Sequence, residues 1–169
     1  MGALVVALLW SSVSSARLRL TETRAASCAS SLRQLSLALA AYAADYDGQL
    51  PTSRDSNELA GVDYWMLAQE ARKPEPNVKA ALNGPLLPYT HNNGILFCPA
   101  DPWKKALGDR TIADRFPKPG ISYVWNAAVA AKPLSDLPAD TWLLRDREPW
   151  HAGRRIATLA DGSTRADSR

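Results

Sequence analysis

The hydrophobic pattern divides the chain into two unequal parts. Residues Ala3 to Trp10 (ALVVALLW) form an unbroken apolar run, and the first charge comes only at Arg17. From Arg17 to Tyr46 there is neither Pro nor Gly, and the residues are good helix formers. Within that stretch Cys28, Leu32, Leu35, Leu39, Tyr42 and Tyr46 recur at steps of 4, 3, 4, 3 and 4. That spacing predicts one apolar stripe along a helix, opposite a face of Ser30, Arg33, Ser36 and Ala40. Leu18, Thr21 and Ala25 extend the stripe backwards, so one helix from Gly2 to Asp45 is predicted. At 1.5 Å per residue it would be about 66 Å long, more than one small domain can cover. Asp47-Gly48 and then Leu50-Pro51 end it, with Gly48 expected in the left-handed position after the last turn.

Beyond residue 50 the pattern changes. Asn57 to Arg72 reads as a short second helix with Tyr64, Trp65, Leu67 and Ala68 inward, followed by a Pro-bearing loop over 73–83. Short strand-like runs follow: Gly94 to Cys98, Ile121 to Asn126, Trp142 to Arg145, Arg155 to Ala160 and Ser163 to Arg165. Asp161-Gly162 between the last two predicts a hairpin closed by a type I′ turn, which needs positive φ at both central residues. The fold class expected is α+β: a long N-terminal helical spine packed on a small antiparallel β-sheet. It divides into an apolar segment over 1–16, an amphipathic spine over 17–47, and a globular head over 48–169 ending in the hairpin.

Composition adds limits. A chain of 169 residues that is 46% apolar can bury a core. Twelve Pro argue against a long regular bundle or barrel after residue 50. A net charge of +3, with no block of Lys and Arg, argues against a nucleic-acid partner. The sixteen uncharged residues at the start fall short of the ~20 that span a bilayer. They read as a signal peptide lacking a basic region, a buried core helix, or part of a membrane helix.

Candidate chemistry is sparse. Cys28, on the helix stripe, and Cys98, before Pro99, make either one disulfide stapling helix to sheet or two small buried thiols. Neither has a second Cys at CxxC spacing or a His nearby in sequence, so zinc is not expected. Of the two histidines, His91 reads as solvated. His151, with Asp146, Asp161 and Ser163, lacks the arrangement of a hydrolase, so no catalytic residue is expected. The carboxylates Asp146, Glu148 and Asp161 are the candidates for calcium, although their spacing matches no EF-hand. Pairing with Arg145, Arg147, Arg154 and Arg155 is the plainer account of them. No other cofactor is expected.

Four stretches, Cys28 to Pro51, Gly84 to Pro102, Ile121 to Asn126 and His151 to Gly162, together resemble one family. It is the pilin-like proteins with a prepilin-type N-terminal segment and a C-terminal H-x9-DG segment, relatives of the major pseudopilin of type II secretion. The family motif falls on His151, Asp161 and Gly162. The resemblance implies a helical spine on an antiparallel sheet of four strands or fewer. It also implies a non-enzymatic structural subunit that assembles with itself or with other pilin-like subunits. The stripe Leu32, Leu35, Leu39 and Tyr42 would pack on the sheet, and residues 3–16 would meet lipid or neighbouring helices. The subunit would be anchored in the inner membrane with its head outside the cytoplasm. The basic leader and the Phe-Thr-Leu-Ile-Glu start of the family are not in this sequence. Arg17, Arg19 and Arg24 would also lie on the head side of the membrane, against the positive-inside tendency. The expectation is that the true start lies upstream of Met1, or else that the chain is a diverged member held by its shortened apolar segment. A secreted or anchored binding module using His151 to Gly162 is the alternative.

Overall fold

The computed structural model describes residues 2–61, 84–90, 92–102 and 121–167, and of 2–18, 57 and 93 the backbone alone. One helix, α1, runs Gly2–Asp45, as its unbroken run of helix formers predicts. It ends in a Schellman-type turn in which the Gly48 amide donates to the Ala43 carbonyl at 2.7 Å. The left-handed position after the last turn is held by Asp47 (φ 51°), one residue earlier than expected, with Gly48 also at positive φ. Asp tolerates that conformation because its short side chain can bond locally.

The second helix, α2, is Ser56–Ala60. Asp55 accepts from the Glu58 amide at 2.9 Å, and Glu58 accepts from the Arg54 amide at 2.6 Å, so the two acids cap the first turn from both sides. Gly61, at φ 61°, ends α2. The helix therefore does not run on from Asn57 to Arg72 without a break, and the remainder of that prediction lies outside the described residues.

Among the described residues four strands follow: β1 Tyr123–Trp125, β2 Trp142–Asp146, β3 Arg155–Leu159 and β4 Thr164–Asp167. They pair in sequence order as an antiparallel meander, the α+β class expected. The run Gly94 to Cys98 is not a strand. Asn93–Leu96 is a 3-10 turn, begun by the Asn92 side chain accepting from the Gly94 amide at 2.9 Å. That local capping bond competes with extended pairing.

The second half of α1 packs on β2, β3, β4 and the 3-10 segment before Cys98. Cys28, Leu32, Leu35 and Leu39 are fully buried there. Each leucine removes enough apolar surface from water to contribute about 2 kcal/mol gross. The stripe closes sooner than its spacing predicts. Tyr42 is half-buried, and Tyr46 is exposed, stacked on Tyr42 with ring centroids 4.2 Å apart. Ser36, expected on the polar face, is buried.

Two hairpins close the sheet, and the type I′ geometry sits in the other one. Between β2 and β3, His151 and Arg154 exchange both backbone hydrogen bonds, at 3.3 and 3.2 Å, around Ala152 (φ 54°) and Gly153 (φ 79°). These two central residues have the positive φ of a type I′ turn. In the Asp161-Gly162 turn the Gly162 amide donates to Leu159 at 3.0 Å, and only Gly162 has positive φ (80°). That is the pattern of a β-turn followed by a left-handed glycine. Asp161 holds it by accepting from the Ser163 amide at 2.8 Å.

Candidate functional site

Four side chains with metal-ligating or nucleophilic atoms converge beneath the first hairpin. Cys28 comes from the middle of α1, and Cys98 from the end of the 3-10 segment. Asp146 is the last residue of β2, and His151 stands at the base of the type I′ turn. One donor atom from each lies within 4.8 Å of the others, and all four residues are buried. Cys28 Sγ is 3.1 Å from Asp146 Oδ1, and Cys98 Sγ is 3.3 Å from His151 Nε2. His151 Nε2 is 3.5 Å from Asp146 Oδ2.

Local structure explains why these atoms meet. Cys28 starts the fully buried part of the α1 stripe, so its thiol faces the sheet. Tyr123 pairs with Asp146 across β1 and β2, and its hydroxyl reaches Cys28 Sγ at 3.4 Å. The chain after Asp146 then turns back. The tight Ala152-Gly153 turn places His151 against the end of β2, while the Ile156 amide in β3 donates to Asp146 Oδ2 at 2.7 Å. Pro99 and the 3-10 turn leave the Ala100 amide donating to Cys98 Sγ at 3.4 Å. Each anion-forming group thus has one donor from outside the quartet: Tyr123 for Cys28, Ala100 for Cys98 and Ile156 for Asp146.

The electrostatics follow from burial and these short contacts. Hydrogen bonding to Cys28 and then to His151 holds the Cys98 thiol low, at about 5, against burial. Its bond to Cys98, burial and the Asp146 charge push the Cys28 thiol up. Burial pushes Asp146 up to about 6, against the hydrogen bonds from Ile156 and Cys28. Burial works against a charged His151, but its hydrogen bond to Cys98 and the charges of Cys98 and Asp146 outweigh it, and the imidazole is raised. Burial, then Cys28, raises Tyr123. The two thiols are thus shifted in opposite directions, Cys28 up and Cys98 down, with a raised imidazole beside Cys98.

This is not the geometry of a thiol hydrolase. There the carboxylate orients the ring through one nitrogen while the thiol uses the other. Here Cys98 and Asp146 both face Nε2, and the buried Nδ1 has no hydrogen-bond partner among the described residues. Ser163 and Asp161, weighed with His151 as a hydrolase, belong to the second hairpin and serve its turn.

Cys28 and Cys98 stand as two buried free thiols in this structure, close neighbours within the cluster. The argument from sequence that no His stands near either cysteine fails. His151 is 53 residues from Cys98 in the chain and 3.3 Å from it in space. The calcium candidates do not converge. Asp146 is fully buried in the cluster, Glu148 is exposed and 3.6 Å from Arg155, and Asp161 is exposed at its turn. The H-x9-DG motif therefore splits into two jobs: His151 enters the cluster, and Asp161 with Gly162 forms the β3–β4 turn. Of the other arginines set against these acids, Arg145 lies over the Trp142 ring at 4.4 Å, and Arg147 donates to the Ile121 carbonyl at 2.6 Å. His91 lies outside the described residues.

Asp146 was missed as a partner of the cysteines because nothing in local sequence marks it. A better signal was available. Each of the four stretches that carry the family resemblance contributes one residue to the cluster or its border: Cys28, Cys98, Tyr123 and His151. Among the described residues no helix is long and apolar enough to cross a membrane. Comparison of the chain with family models, with curated proteins and with solved structures finds no match.

Proposed function

We propose that this protein is a structural, pilin-like subunit of the cell envelope that associates through its N-terminal helix. One observation carries the reading. The head covers α1 only from about Ala25 onward among the described side chains, while the helix extends back to Gly2. Residues 25–45 account for about 30 Å of a helix about 66 Å long. Just ahead of the covered part, Arg19, Leu20, Glu22, Thr23 and Arg24 are exposed. A helix nucleated and held by a folded head, continuing into the uncharged run over 1–16, offers that run to lipid or to neighbouring copies. Pilin-like identity, assembly in a type II secretion or type IV pilus-like system, and an inner-membrane anchor with the head outside the cytoplasm belong to this proposal. So does the expectation of no enzymatic activity.

Flotation with lipid vesicles tests the anchor. The full chain is expected to float with the vesicles, and the variant Leu4→Arg with Leu8→Arg to stay behind. A full chain that stays behind as well would remove lipid from the account and leave subunit–subunit packing as the sole role of the run. As for the alternative, a binding module built on His151 to Gly162, the segment buries its His and spends its Asp on a turn, which leaves no convergent exposed donors.

A further inference from the structure

The quartet has the composition and spacing of a closed metal site, and we infer that Cys28, Cys98, Asp146 and His151 bind one zinc-class divalent cation as a structural staple between helix and sheet. The inference stands on three observations.

The first is spacing. Zinc bonds of about 2.3 Å to sulfur and about 2.0–2.1 Å to nitrogen and oxygen, arranged tetrahedrally, put the donors about 3.3–3.8 Å apart. Three contacts here are 3.1 Å (Cys28 Sγ to Asp146 Oδ1), 3.3 Å (Cys98 Sγ to His151 Nε2) and 3.5 Å (His151 Nε2 to Asp146 Oδ2), and one donor atom from each residue lies within 4.8 Å of the others. A cation at their centre requires the most distant donors to close by no more than about 1 Å, within reach of side-chain adjustment. The second is donor chemistry. Two sulfurs, an imidazole and a carboxylate suit zinc and disfavour calcium or magnesium, which take oxygen ligands. The third is the surrounding shell. Tyr123 Oη, the Ala100 amide and the Ile156 amide are each placed against one of the three ligands that become anionic. Such outer donors disperse ligand charge and fix ligand orientation around protein-bound metals.

A hydrogen-bonded apo cluster accounts for the short contacts but poorly for their location. It buries four ionisable groups, brought from α1, the segment after the 3-10 turn, β2 and the turn that follows it, with no cation to balance them. All four coordination positions would be protein ligands and none is open to solvent, so the cation would be structural and not catalytic. Cys28 is the only one of the four on α1, so the cation would lock the helix to the end of β2 and to the turn that follows it. This inference does not depend on whether α1 associates with lipid or with other subunits.

The test uses the full chain, stripped with a chelator and kept in a non-thiol reductant, and titrated with cobalt(II) and then zinc. Expected are visible absorption of tetrahedral cobalt with a thiolate-to-metal charge-transfer band, a 1:1 endpoint, and bleaching by one equivalent of zinc. Zinc is also expected to raise the thermal midpoint where calcium does not. Cys98→Ser and His151→Gln should each weaken binding at least tenfold. Should those variants fail to fold, the cobalt spectrum of the unsubstituted chain decides alone. Three results would overturn the inference: no cobalt band while both thiols titrate as free, a thermal shift with calcium but none with zinc, or a Cys28–Cys98 disulfide without metal in the native chain.

Discussion

Cys28 and Asp146, 118 residues apart in the chain, meet at 3.1 Å in a site that excludes solvent from both. This contact ties the helix to the sheet at one point beside the buried leucine stripe. It joins the start of the buried α1 stripe to the end of β2, and Asp146 passes the constraint to β3 through the Ile156 amide. Removing the carboxylate would leave a buried amide and a buried thiol without their acceptor. Asp146→Ala is expected to cost about 2–4 kcal/mol in urea unfolding with chelator present, so that any metal contribution is excluded. A change under 1 kcal/mol would mean that the contact is incidental.

The helix stripe is tested by a contrasting pair. Leu35 is fully buried, while Leu37, two residues on, is 66% exposed. Leu35→Ala should destabilise by about 2–5 kcal/mol and Leu37→Ala by no more than about 0.5 kcal/mol. Equal effects would contradict the packing described.

Ala152 stands at φ 54° in the turn that presents His151. A side chain with a Cβ resists that conformation, and Asn-Gly is the pair best suited to it. Ala152→Asn is expected to stabilise the protein by about 0.5–1 kcal/mol in thermal or urea unfolding. Destabilisation would contradict the turn geometry.

The second turn carries a pH dependence. Hydrogen bonds from Ser163 hold the Asp161 carboxyl below its ordinary 3.8. A depressed carboxylate contributes stability that is fully present above the unfolded value and is lost as pH falls through the folded one. NMR titration of the Asp161 carboxyl should therefore give a midpoint below 3.8, moving up toward that value in Ser163→Pro, which lacks the amide. A midpoint at or above 3.8 in the unsubstituted chain would show that the cap does not form in solution.

The elements were legible where one local signal ruled. The step of Cys28, Leu32, Leu35 and Leu39 gave the helix and its buried face, and the alternating and turn-bounded runs gave β1 to β4 with ends displaced by no more than two residues. Two hairpin details were not. Asp161-Gly162 looked like the type I′ turn, yet Ala152-Gly153 adopts it, because strand register overrides the preference of a dipeptide. Likewise Asn92 turned Gly94 to Leu96 away from strand through one side-chain bond. The cluster was illegible for a different reason. Its four members are scattered from residue 28 to residue 151, and only the antiparallel pairing of β2 with β3 and the docking of α1 bring them together.

Sedimentation velocity of the full chain in detergent-free buffer tests the central claim most directly. If α1 carries association, the full chain sediments as a species well above its 18.4 kDa monomer, and Leu4→Arg with Leu8→Arg returns it to a folded monomer. A full chain that sediments as an 18.4 kDa monomer at every concentration, indistinguishable from that variant, would contradict it.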